Sequence, residues 1–231
     1  MNPLKQLVKH SMGLLLPPHR YLHQGPRTTR DIALTFDDGP HPELTDRLLD
    51  QLKALEIRAT FFVLGQQASE SPWLIERIVS SGHTLGHHSW SHSEPDATSA
   101  QQLVDEIGQT HRLLEQIVGL TPSLFRPPKG KLTWAKFQAL WKLGQTIILW
   151  NVDPRDYSLE PGETLDIWCR NYCPTAGDIL LFHDIHPYCL NAVEQLAARK
   201  EFKRDWRFQT LDDWLKPRPF VPRTEVAFPC R

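Results

Sequence analysis

The sequence predicts an α/β fold built on parallel strands, and three observations support this. From residue 31 onward short apolar runs alternate with amphipathic stretches, the amphipathic stretches carry helix start and stop residues, and the chemically versatile side chains gather where apolar runs end. With 231 residues, 40% of them hydrophobic, the chain is long enough to bury one substantial core. Its 26 lysines and arginines nearly balance 27 aspartates and glutamates, giving a net charge of -1. No long basic stripe is present, which argues against a nucleic-acid partner and for a neutral or polar substrate.

Residues 1–30 contain Lys5, Lys9, Arg20, Arg27 and Arg30 and no acid, with Leu4, Leu7, Val8, Met12, Leu15 and Leu16 near helical spacing. The apolar stretch Met12 to Leu16 is too short for a membrane span or a signal-peptide core. The segment reads as a helix packed on the domain, with a second reading as a basic amphipathic segment that touches an anionic membrane surface through residues 1–25.

Strands are expected at Ile32 to Phe36, Ala59 to Leu64, Thr84 to His88, Leu124 to Arg126, Thr146 to Val152 and Ile179 to His183. Helices are expected at Leu44 to Leu55, Pro72 to Ser81, Ala100 to Val118, Trp134 to Leu143, Glu163 to Tyr172 and Leu190 to Lys200. Pro72 suits a first helical turn, Ser99 can cap the helix that begins at Ala100, and Gly82, Gly119 and Gly144 follow helix ends. One domain is expected over residues 31–215, and the Pro-rich residues 216–231 read as an extended tail. The four cysteines, Cys169, Cys173, Cys189 and Cys230, lack zinc-ribbon spacing and are expected to be free thiols, which suits a reducing compartment.

The polar residues mark the strand ends. Asp37 and Asp38 close the first predicted strand, His88 the third and Arg126 the fourth; Asp153 and Asp156 follow the fifth, and His183 with Asp184 closes the sixth. In a (β/α) barrel the C-terminal ends of the strands form one mouth, so five separate segments converge there.

His88 and His92, in HSWSH, have the spacing that turns two imidazoles to one side; with one carboxylate they could hold Zn2+ or another divalent ion and leave positions open. Among 11 histidines an isolated HxxxH pair is a weak signal. If Asp38 supplies the carboxylate, Asp37 stands beside a metal-activated water and can take its proton, and His183 suits a general acid. Base and acid about one metal site describe a hydrolase.

The ordered set TFDDG (Thr35 to Gly39), HSWSH (His88 to His92), FRPPKG (Phe125 to Gly130), WNVDPRDY (Trp150 to Tyr157) and ILLFHD (Ile179 to Asp184) resembles the five motifs of the NodB-type polysaccharide deacetylases, carbohydrate esterase family 4. The resemblance runs from Asp31 to about Trp214. It implies a distorted (β/α) barrel of the NodB homology type with about six to seven parallel strands, and hydrolysis of N-acetyl, in some members O-acetyl, groups on a glycan. It implies Asp37 as base; Asp38, His88 and His92 as metal ligands; Arg126 as the residue orienting the base; and His183 as acid, tuned by Asp156. The backbone N–H of Lys129 is expected to stabilise the oxyanion, and Leu181 and Tyr157 to wall a niche for the acetyl methyl group.

Three positions depart from the family pattern: Lys129 stands where an aromatic residue is common, Tyr157 where tryptophan is, and His87 where asparagine is. Lys129 puts a cation at the rim, and His87 is expected to face away from the metal because its neighbour His88 faces inward. One divalent ion is expected, Zn2+ first and Co2+, Mn2+ or Ni2+ as substitutes, with an acetylated glycan or glycan precursor as substrate. The expected setting is bacterial and cytoplasmic, with a peripheral place at the inner membrane surface as a second reading. Two other functions fit parts of the pattern: a catalytically silent carbohydrate-binding protein on the same barrel, and a non-haem iron oxygenase using the two histidines and one carboxylate.

Overall fold

The structure is a computed structural model that describes residues 11–157 and 162–215. The expectations for residues 1–10, for the tail at 216–231 and for Cys230 lie outside the described residues. Residues 11–15 are helical (α1). There follow β1 (Tyr21–Leu22), β2 (Asp31–Asp37), α2 (Leu44–Ala54), β3 (Thr60–Val63), α3 (Gly65–Glu70), α4 (Pro72–Ser80), β4 (Thr84–His87), α5 (Ala100–Val118) and β5 (Leu124–Phe125). After a 3-10 turn at Pro128–Gly130 come α6 (Trp134–Lys142), β6 (Thr146–Ile148), α7 (Gly162–Asn171), β7 (Ile179–His183), α8 (Tyr188–Ala198), α9 (Lys200–Asp205), β8 (Arg207–Phe208) and α10 (Leu211–Leu215).

Seven parallel strands lie in the order β1-β6-β5-β4-β3-β2-β7, with β8 pairing β2 from outside this path. The sheet curls into a half-barrel surrounded by helices. Beyond Ile148 the chain leaves β6, and Val152 then bridges to Leu180 of β7, so the strand expected through Val152 stops four residues early and passes its pairing to the far edge.

β2 lies between β3 and β7, and all seven of its residues are buried. Its near-continuous apolar run suits a parallel strand covered on both faces. The two-residue period sorts its side chains. Ile32, Leu34 and Phe36 join Leu48, Leu49 and Leu52 of α2 in the outer core, while Ala33 joins Phe62, Phe125 and Leu181 in a second cluster. Asp37 therefore shares the face of Ala33 and Thr35, toward the barrel interior. In the outer core Phe36 stacks on Phe61 at 5.1 Å between ring centroids, a contact worth about 0.5–1.5 kcal/mol beyond its buried area.

α5, the longest described helix, begins where expected because Ser99 and Gln102 form a capping box: Gln102 N donates to Ser99 Oγ at 3.1 Å and Ser99 N to Gln102 Oε1 at 2.7 Å. It ends at Gly119, whose φ of 69° is a left-handed cap that glycine adopts without strain. α10 is tied to the start of β3, where Leu211 N donates to Thr60 Oγ1 at 3.0 Å. Cys169, Cys173 and Cys189 are free thiols. Among the described residues no helix is long and apolar enough to cross a membrane.

Candidate active site at the barrel mouth

The side chains singled out in the sequence meet at the C-terminal ends of the strands. Asp37 is the last residue of β2 and His183 the last of β7, and the two are direct register partners. Asp38 follows with φ 73°, in the left-handed region. The chain turns there instead of continuing the strand, so adjacent carboxylates face one site from different sides.

Asp38 Oδ1 lies 3.5 Å from His88 Nε2 and 3.7 Å from His92 Nε2. One ligand atom from each of the three residues falls within 4.8 Å of the others. Asp38 Oδ1 is buried and has no hydrogen-bond partner within the protein, which is costly unless a cation or other donor satisfies it. His88 Nδ1 lies 2.6 Å from the Arg126 carbonyl. That oxygen can only accept, so the proton sits on Nδ1 and the Nε2 lone pair points at the site, the arrangement typical of a metal-ligating histidine. Burial, partly opposed by the Asp38 charge, pushes His88 down to about 3 and keeps its imidazole neutral. Two nitrogens and one carboxylate oxygen fit a divalent ion with open positions.

Asp37 is held from behind. Arg126, wholly buried, donates from Nη1 to Asp37 Oδ1 at 2.7 Å and to Thr35 Oγ1 at 2.8 Å. Its guanidinium lies over the Phe62 ring, 4.1 Å from the centroid. Burial raises the Asp37 pKa, and the Arg126 charge opposes that rise. Thr35 was not singled out in the sequence, although its place two residues before Asp37 puts it on the same strand face.

His183 is fixed by Asp156, which is fully buried: Oδ1 lies 2.8 Å from His183 Nδ1 and Oδ2 accepts from His183 N at 2.7 Å. Burial disfavours the imidazolium, but the Asp156 hydrogen bond and charge outweigh it and carry His183 up to about 9. Tyr157 sets its ring edge-on to His183 at 5.1 Å between centroids, on the exposed rim. Leu181, two residues before His183, is buried beneath it. Lys129 has φ 56° and is paired with Glu94 at the rim, while the N–H groups of Gly130 and Lys131 bond to the Pro127 and Pro128 carbonyls.

Two sequence candidates lie elsewhere. His87 faces away, as expected: its ring contacts Phe125 and His111, and Nε2 lies 2.9 Å from Gln145 Oε1. Asp153 accepts from Arg155 N at 3.0 Å and Tyr157 Oη at 3.3 Å. Asp184, given no role in the sequence, is buried against the turn after β2. It accepts from Thr45 Oγ1, and a Cβ at Gly39 would come within 2.1 Å of its Oδ2. Burial lifts Asp184 to about 7.

Residues 24–148 match the family model described as polysaccharide deacetylase. A peptidoglycan-N-acetylglucosamine deacetylase of Bacillus cereus is 33% identical over 195 residues, which is 83% of this chain and 91% of that protein. One from Listeria monocytogenes is 33% identical over 189 residues, 81% of this chain but only 39% of the relative, so the chain spans about two fifths of that protein's length. Among solved structures, a peptidoglycan deacetylase from Bacillus subtilis superposes with a TM-score of 0.73 at 31% identity, covering 83% of this chain and 94% of that one. The chitin deacetylase of the fungal pathogen Colletotrichum lindemuthianum superposes with a TM-score of 0.77 at 27% identity, covering 88% of this chain and 95% of that one.

Proposed function

Because the chain belongs to the polysaccharide deacetylase family, we propose that it hydrolyses N-acetyl groups of N-acetylhexosamine units in a glycan, in a polymer, an oligosaccharide or a lipid-linked precursor. Asp38, His88 and His92 would hold one divalent ion, Zn2+ first. Such an ion supplies Lewis-acid polarisation of the acetyl carbonyl and lowers the pKa of water.

The remaining work falls to the chain's own side chains. Asp37 takes the proton of the attacking water, with Arg126 fixing the direction of its carboxylate. As the new C–O bond forms, the Lys129 N–H donates to the carbonyl oxygen. When the C–N bond breaks, His183, held by Asp156, delivers a proton to the departing amine, and acetate and the free amino sugar remain. Leu181 and Tyr157 flank the methyl group. A methyl-sized niche gives modest selectivity, since each methylene is worth roughly 1–3 kcal/mol.

The observation that carries this reading is the register pairing of Asp37 with His183 beside the Asp38, His88 and His92 cluster. An iron oxygenase would use the same three ligands but leaves the Asp37–Arg126 and His183–Asp156 pairs without work. The test is acetate release from chitooligosaccharides, peptidoglycan, acetylated xylan and lipid-linked N-acetylhexosamines, with and without chelator. Release from at least one N-acetylated substrate, lost on chelation and restored by Zn2+, is expected; chelator-resistant release would contradict the metal assignment.

The proposal includes a place of work: the cytoplasm, with the inner membrane surface as a second reading in which residues 1–25 make the contact. Leu14 and Leu15, 75% and 82% exposed, support an apolar contact there. Cell fractionation that finds the protein outside the cell with residues 1–25 removed would overturn it.

A further inference from the structure

His92 is the one member of the three-residue cluster that no strand end positions. It lies four residues beyond His88 in a turn with two left-handed residues, Ser89 at φ 76° and His92 itself at φ 54°. A non-glycine residue keeps such a conformation only where its surroundings impose it. The backbone hydrogen bonds of this turn identify what imposes it. The carbonyls of Ser89 and Trp90 accept from Gly65 N at 3.1 Å and Gln66 N at 3.0 Å, at the start of α3. On the other side, Glu106 Oε2 accepts from Trp90 N at 3.0 Å and Ser91 N at 3.3 Å, while His92 N donates within the turn to Ser89 Oγ at 3.2 Å. The other Glu106 oxygen, Oε1, accepts from Ser91 Oγ at 3.2 Å and Ser93 Oγ at 3.4 Å.

Glu106 sits on α5, seven residues after its cap at Ser99. One turn further along, Thr110 Oγ1 reaches the Ser89 carbonyl at 3.3 Å. The same helix face thus holds the turn at Ser89, Trp90, Ser91 and Ser93, on both sides of His92. The far end of the loop is tied separately, by Lys136 of α6, whose Nζ donates to the Pro95 carbonyl and to Thr98 Oγ1.

We propose that Glu106 is a positioning residue for the metal site: by gathering the donors of residues 90, 91 and 93 it sets the turn that aims His92 Nε2 at Asp38 Oδ1. It makes no contact with a substrate in this role, and it acts through His92. The inference rests on the reading of Asp38, His88 and His92 as ligands.

The test is titration of the metal-free protein with Zn2+ by calorimetry and with Co2+ by its visible absorption, for wild type, Glu106→Gln, Glu106→Ala and, as a reference for a lost ligand, His92→Ala. Outer partners of metal ligands are worth roughly 10- to 100-fold in affinity, so Glu106→Ala is expected to weaken binding by that range and to change the Co2+ spectrum. Glu106→Gln keeps the shape and one acceptor, and it is expected to lose only a few-fold. If the alanine variant does not fold, the glutamine variant decides alone. Wild-type affinity and spectrum in every folded Glu106 variant would overturn the positioning role. A wild-type protein that binds neither ion, or binds them equally well as His92→Ala, would instead overturn the ligand assignment on which it rests.

Discussion

The mouth of this barrel is built in two ways, and the contrast between the β2–β7 seam and the loop after β4 explains what each part contributes. At the seam, Asp37 and His183 are placed by main-chain register between two buried strands, and Arg126 locks Asp37 from the barrel interior. In the loop, His92 is placed by side chains reaching across from α5 and by the start of α3. The proposed proton-transfer groups thus sit on the stiff part, whose geometry is inseparable from the fold. The proposed metal ligand His92 sits on the part held by replaceable polar contacts. Damage at the seam should therefore cost stability and activity together, and damage in the loop should cost the site while sparing the barrel.

The largest effect should come from Arg126→Leu. It strands the Asp37 carboxylate in a buried position, and breaking a buried pair by removing one partner costs roughly 3–5 kcal/mol. Urea denaturation should show that loss together with loss of acetate release; an unchanged midpoint would break the comparison.

A smaller effect on the same framework concerns His83. Burial first, then the nearby Arg58 charge, pushes it down to about 4, and its Nδ1 accepts from Ala59 N at 3.1 Å, just before β3. Its folded pKa lies below the ordinary 6.5, so its contribution is fully present above pH 6.5 and is lost as pH falls toward 4. Each pKa unit corresponds to about 1.4 kcal/mol, so up to roughly 3 kcal/mol is at stake. In His83→Gln, stability measured against pH should fall less steeply between 6.5 and 4; an identical slope would remove His83 from the account.

The smallest effect belongs to the loop half. Ser99→Ala removes the cap of the helix that carries Glu106, at a cost of about 1 kcal/mol. Hydrogen exchange should rise at the start of α5 and in residues 89–98 while β2 and β7 stay protected. Equal loosening of the seam would show that the two halves are not separate.

Much of this framework was legible in the residues. The strand Ile179–His183 and the helix Ala100–Val118 have their expected bounds, since one is a continuous apolar run and the other has a cap at both ends. β1 and β8 were missed because two residues carry no periodicity. α3, with the sequence GQQASE, was missed because it has almost no apolar side to repeat. At the site, residues at strand ends could be read because a strand end is visible in sequence as the place where an apolar run stops. Thr35 and Glu106 could not, and Asp184 could be placed at a strand end but given no role, because their partners Arg126, the 90–93 turn and Thr45 come from elements that only the fold brings together.

The central claim is that Asp38 and Asp37 divide the labour between holding an ion and moving a proton. Acetate release and Zn2+ affinity, measured side by side for wild type and Asp37→Asn on a substrate the wild type deacetylates, test it most directly. Near-wild-type Zn2+ affinity with acetate release lowered by about 10²-fold or more is the predicted result. Full acetate release by Asp37→Asn would contradict it.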